Sequence, residues 1–146
     1  MDNRTSVVEL ELELKLVLSP ERSVPVPARF SYSSRDPFAV HITFHLDTET
    51  PVTWVFSREL LVEGTFRPSG QGDVRIWPAV PRPEDTGPVL RRSVLLLALT
   101  SPGGDALLEA PLLPVVKWLE RTHRLVPPAG APDASERDGQ LARLSA

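Results

Sequence analysis

Histidines four residues apart chelate zinc when a helix carries them, and this chain holds one such pair, His41 and His45. The residues around them alternate, with Val40, Ile42, Phe44 and Leu46 against His41, Thr43, His45 and Asp47. That pattern is a strand, on which the two imidazoles stand about 13 Å apart, too far to share an ion. His123, between two cationic neighbours near the end of a helical segment, suits the helix dipole better than it suits catalysis. Glu9, Glu11 and Glu13 form an acidic ladder, but glycoside hydrolysis needs a cleft and one raised carboxyl pKa, and neither is signalled. Gly70-Gln71-Gly72-Asp73 lacks the lysine and the following helix of a phosphate loop and reads as a hairpin turn. There is no Gly-x-Ser-x-Gly elbow. With no cysteine at all, a thiolate nucleophile, a thiolate metal site and a disulfide framework are excluded, which suits a reducing cytoplasm. The expectation is therefore a protein that is not an enzyme, with no catalytic residues, cofactor or metal.

The residues that remain are suited to binding. Trp77 shares a strand face with Asp73 and Arg75, opposite Val74 and Ile76, so it reads as the most exposed aromatic residue and, beside Arg75, as a partner anchor. The Arg91-Arg92 pair is a further partner-contact candidate. Phe38, Phe44, Trp54, Phe56, Phe66 and Trp118 read as core. The 16 Lys plus Arg against 19 Asp plus Glu give a formal charge of -3, which withholds the general attraction that phosphate backbones require.

Sixteen prolines punctuate the 146 residues and leave windows 1–19, 38–50, 52–67, 89–101 and 115–126 free for regular structure. Val8, Leu10, Leu12, Leu14, Leu16 and Leu18 alternate with Glu9, Glu11, Glu13 and Lys15, a long half-buried strand despite the helical preference of Leu and Glu. Strands follow at 25–32, from Val40 and at 51–56. Ser57 then caps a short helix to Glu63, and Gly64 stands where a left-handed residue ends a helix. The second round has strands at 65–68, 73–77, 92–100 and 105–110, a Pro-rich loop at 80–88, and a helix from Leu112 to Arg124 stopped by Pro127-Pro128. Its apolar stripe is Leu112, Val115, Val116 and Leu119. Strand 92–100 is apolar on both faces, which demands a helix on one side and another cover, such as a second subunit, on the other. Val94 and Leu96, together with Trp118, are the candidates for that interface. One α+β domain over 1–128 is expected, with a tail, 129–146, rich in Ala, Ser, Asp, Arg and Gly. The amino terminus is not a secretory signal, and no apolar run reaches the roughly 20 residues of a membrane span.

Several stretches together resemble the SsgA-like family of sporulation and cell-division proteins of filamentous actinobacteria. They are Ser23-Val24-Pro25-Val26-Pro27-Ala28, Asp36-Pro37-Phe38-Ala39-Val40, Trp54 to Gly64, Ser101 to Pro111 and Trp118-Leu119-Glu120-Arg121-Thr122. The resemblance spans about residues 6–130 and leaves the paralogue open. It implies curved antiparallel sheets crossed by helices, a whirly-like fold of four strands and a helix repeated twice, and a bell-shaped homotrimer. It also implies a regulator concentrated at division septa that recruits or stabilises the tubulin-like protein FtsZ, with an SsgA-like paralogue as a further partner. The other class weighed is a single-stranded nucleic-acid binder of whirly-like fold, which would need a basic, aromatic-studded groove.

Overall fold

The computed structural model describes residues 5–45, 50–79 and 93–128. Its elements are β1 (Val7–Ser19), β2 (Arg22–Ser33), β3 (Asp36–Phe44), β4 (Val52–Ser57), α1 (Arg58–Gly64), β5 (Ser69–Gln71), β6 (Val74–Ala79), β7 (Val94–Ser101), β8 (Gly104–Pro111) and α2 (Leu112–Leu125). Four strands and a helix thus occur twice, as the spacing of apolar and turn residues predicts. All eight strands form one antiparallel sheet in the order β4-β3-β2-β1-β8-β7-β6-β5.

The β1–β2 hairpin is paired along its whole length, from Val7 opposite Ser33 to Ser19 opposite Arg22. Pro25 and Pro27 are tolerated because β2 there runs past the end of β3, where no ladder donor is needed. The two halves of the sheet meet at a narrow seam, since β1 and β8 share only the pairs Lys15–Glu109 and Leu16–Leu108. Helix α1 touches β3 and β4 near one edge of the sheet and β5 and β6 at the other. Strands at opposite ends of a sheet can meet one short helix only if the sheet curls around it.

One face of the sheet is core. Leu14, Phe30, Tyr32, Val40, Ile42, Ile76, Leu95, Leu97 and Ala110 are fully buried there, and α1 supplies Leu60 and Leu61 while α2 supplies Val115, Trp118 and Leu119. Strict alternation wins over the helical propensity of β1 because only a strand places every second leucine on this face.

Three local expectations are corrected. Gly64 is not left-handed, since the positive φ values belong to Gly72 and Gly104. A Cβ at Gly64 would lie 2.6 Å from the Cβ of buried Ile76, so the glycine is required by close approach of α1 to β6. Residues 65–68 are not a strand, because the helix unwinds through Phe66 and Arg67 amides donating to the Glu63 carbonyl. The hairpin turn narrows from the expected Gly70 to Asp73 to Gly72-Asp73 alone, because Ser69–Gln71 is itself strand β5. Gln71 pairs with Val74, and Gly72 at φ 60° takes the first central position, the placement of a type II′ turn.

Candidate functional site

On the face away from the helices, the register of β6, β7 and β8 sets out three rows. Ala79, Val94 and Pro111 form one, Trp77, Leu96 and Glu109 the next, and Arg75, Ala98 and Leu107 the third. Lys15 of β1 extends the middle row, its ammonium 4.0 Å from the Glu109 carboxylate. Arg75 and Lys15 are exposed, and the other eight residues of the three rows are half-buried. The doubly apolar strand is thereby explained on one side, since Leu95, Leu97 and Leu99 face the core. Its other side, Val94, Leu96 and Ala98, is a patch without a covering element among the described residues.

The patch ends at the β5–β6 edge in a depression of about 480 Å³ lined by Pro68, Ser69, Gly70, Arg75 and Trp77. Gly70 stands opposite Arg75, and β5 stops opposite Ile76, so Trp77 projects past the end of its neighbour strand. Among the described residues, Arg75 has no carboxylate partner.

Four of the sequence candidates therefore converge, because Arg75, Trp77, Val94 and Leu96 share one surface. Arg91 and Arg92 lie outside the described residues, as does the 80–88 loop. Trp118 is corrected. It is only 1% exposed, packs edge-on against Phe30 with ring centroids 5.6 Å apart, and donates its indole N–H to the Val8 carbonyl at 3.1 Å. Spacing already hinted at this, since Trp118 follows Val115 by three residues and so shares its helix stripe. The aromatic residues are also reassigned. Phe38 and Phe66, expected in the core, are 70% and 73% exposed, whereas Trp77 is half-buried.

Neither histidine of the 41/45 pair joins a metal cluster, and no group of three or more His, Asp or Glu suited to a metal occurs among the described residues. The acidic ladder is partly neutralised, with the Arg29 guanidinium donating to Glu11 at 2.9 Å. That bond, with Glu9 nearby, raises the Arg29 pKa. A second groove of about 330 Å³ runs beside it, between Glu11, Glu13, Arg29 and His45.

Sequence reasoning missed Arg58. The Ser57 hydroxyl accepts from the Leu60 amide at 3.0 Å and caps α1, as expected. The next residue, Arg58, turns inward and is 4% exposed. It donates to the carbonyls of Thr122 at 3.1 Å, Val126 at 2.7 Å and Pro127 at 3.2 Å, and its guanidinium carbon lies 4.8 Å from the centre of the Tyr32 ring. Tyr32 in turn donates to the Pro37 carbonyl at 2.8 Å. A buried cation is thus balanced by carbonyls at the negative end of α2 and by a ring face. Burial lowers the Arg58 pKa, and the Tyr32 hydroxyl is raised, chiefly by desolvation. His123 is lowered, first by burial and then by the Arg58 charge. The cluster is a structural clamp joining α1 to the end of α2.

The architecture is an α+β scaffold with one sheet face that no element among the described residues covers, and comparison with known proteins places it. The family model for "Streptomyces sporulation and cell division protein, SsgA" matches residues 26–130. The chain belongs to this family. The sporulation-specific cell division protein SsgB of Streptomyces coelicolor is 45% identical over 141 residues, 97% of each chain. SsgB of Thermobifida fusca is 36% identical over 142 residues, again 97% of each. A solved structure described as "Mutations in SsgB correlate to longitudinal cell division during sporulation of Streptomyces coelicolor" superposes with a TM-score of 0.78. It is 46% identical and covers 88% of this chain and 95% of that one. The crystal structure of an SsgA-like sporulation-specific cell division protein from Thermobifida fusca gives a TM-score of 0.75 at 35% identity, covering 98% of both chains.

Proposed function

We propose that this protein is a non-enzymatic adaptor of sporulation-specific cell division, concentrated at septa, that helps to position them by recruiting or stabilising FtsZ polymers. The observation that carries the reading is the half-exposed apolar patch centred on Leu96 and Trp77, in a chain of this family. Trp, Leu and Val stand on a sheet face without a covering element among the described residues, and patches of this kind mark contact surfaces. The same reading has the chain assembling as a homotrimer of whirly-like subunits and working with an SsgA-like paralogue. The ladder of Glu9, Glu11 and Glu13 on the same side of the sheet speaks against a phosphate backbone there. Among the described residues, no helix is long and apolar enough to cross a membrane, so membrane placement falls to a partner.

Sedimentation of FtsZ polymers tests the proposal. The protein is expected to pellet with polymers formed in GTP and to increase their bundling, and Leu96→Asp is expected to abolish both while leaving the circular dichroism spectrum intact. Absence of co-sedimentation and of any bundling by the unsubstituted protein, alone and with the paralogue, would overturn direct recruitment.

A further inference from the structure

The depression at the β5–β6 edge has chemistry of its own. Trp77 and Arg75 are two residues apart on one strand face, which sets the roots of their side chains about 7 Å apart. That is also the spacing of alternate side chains in any extended peptide. Arg75 is exposed and has no carboxylate partner among the described residues, so the site offers an unmatched positive charge beside a flat apolar ring. Gly70, directly opposite Arg75, leaves the approach open. A Cβ placed there would lie 3.4 Å from the Arg75 Cγ, against the very stem a ligand would cover. Edge strand β5 has three residues, so the backbone of β6 from Trp77 onward lacks a β5 partner.

The geometry points to a site for an extended, acidic segment of a partner protein, one that presents a carboxylate to Arg75 and, two residues along, an apolar side chain to Trp77 and Pro68. The inference rests on the adaptor reading in so far as a partner is needed, and it adds which edge of the molecule holds that partner and by what chemistry. Charge complementarity decides the occupant. A basic segment would leave Arg75 opposed, and a purely apolar one would desolvate its guanidinium without compensation.

The probe is the octapeptide Gly-Ser-Asp-Val-Leu-Val-Ser-Gly, titrated to millimolar concentration into full-length protein labelled at its three tryptophans. The indole N–H resonances are followed by NMR. The Trp77 signal is expected to shift, while that of Trp118, locked to the Val8 carbonyl, stays in place. Replacing Asp by Lys in the peptide is expected to weaken binding about tenfold, the scale of a lost interface anchor. Arg75→Glu is expected to reverse that preference. Gly70→Leu, which fills the depression in ordinary van der Waals contact and at a φ that L residues adopt, is expected to abolish the shift without lowering the melting temperature. No shift with the Asp peptide, an equal response to the Lys peptide, or displacement of the Trp77 signal by oligothymidine instead would each overturn the proposal. Loss of peptide binding with FtsZ sedimentation intact sinks this site alone, and the converse result sinks the recruiting role alone.

Discussion

Removing the Arg58 side chain is expected to be the most damaging single truncation of a charged residue in this fold. In Arg58→Ala, the carbonyls of Val126 and Pro127 lose their side-chain donor, while that of Thr122 keeps the Val126 amide at 2.9 Å. A buried acceptor left unsatisfied costs about 1–3 kcal/mol, and bonds to a charged donor sit at the upper end of the hydrogen-bond range. The guanidinium–Tyr32 contact adds up to about 2 kcal/mol, and the favourable charge at the helix terminus about 1 kcal/mol. These contributions share one group and do not sum. Water reaches the Pro127 carbonyl in the truncated protein, since Pro127 is exposed. Desolvation of the guanidinium is also relieved. The net loss is therefore about 3–5 kcal/mol, as for breaking other buried charge networks. At roughly 3 °C per kcal/mol for a domain of this size, the melting temperature should fall by about 10–15 °C. Arg58→Lys keeps the charge but not the fork and should recover less than half of the loss. The assay is thermal and urea unfolding followed by circular dichroism, with a His123 titration alongside. Because Arg58 helps to lower His123, the alanine variant should also raise the His123 pKa. A loss below about 1 kcal/mol, with His123 unmoved, would refute the clamp.

Gly64→Ala drives a methyl into buried Ile76 and should cost about 1–3 kcal/mol as overpacking, with partial rescue by Ile76→Ala in a double-mutant cycle of urea midpoints. Ser57→Ala removes the α1 cap and should cost about 1 kcal/mol in the same assay. For His123 the folded pKa lies below the unfolded value of about 6.5, so the unfolded chain binds more protons between the two. Its contribution to stability should be complete above about pH 6.5 and disappear as pH falls through the folded pKa. His123→Gln should flatten that part of the stability profile measured by urea melts.

The strands were legible because period two is a geometric necessity of a half-buried sheet, and β1 and β3 carry it openly. The doubly apolar β7 also signals a second apolar face in need of a cover. Arg58 was not legible. A charged residue directly after an N-cap looks like a surface residue, and only the curl that brings α1 against the end of α2, sixty-four residues later, makes it core. Gly64 stood out for its residue type, but its reason lies in Ile76, a contact across chain-distant elements. Phe38 and Phe66 were misplaced because aromatic character predicts burial only where something packs over it. Trp118 is legible from helical spacing, since it falls three residues after Val115 and beside Leu119 on the same stripe.

The two-pair seam between β1 and β8 divides the molecule mechanically. Backbone ladders stiffen each four-strand leaf, yet across the join the ladder shrinks to Lys15 and Leu16. Tension pulled on the Trp77 leaf then travels to the other leaf largely through braces, among them Trp118 donating to the Val8 carbonyl, Arg58 holding the end of α2, and α1 packed on β6. Any flexing between the leaves is expected along that crease, where amide exchange at Lys15 would register it first. A scaffold creased in this way changes the angle between its leaves without unmaking either one.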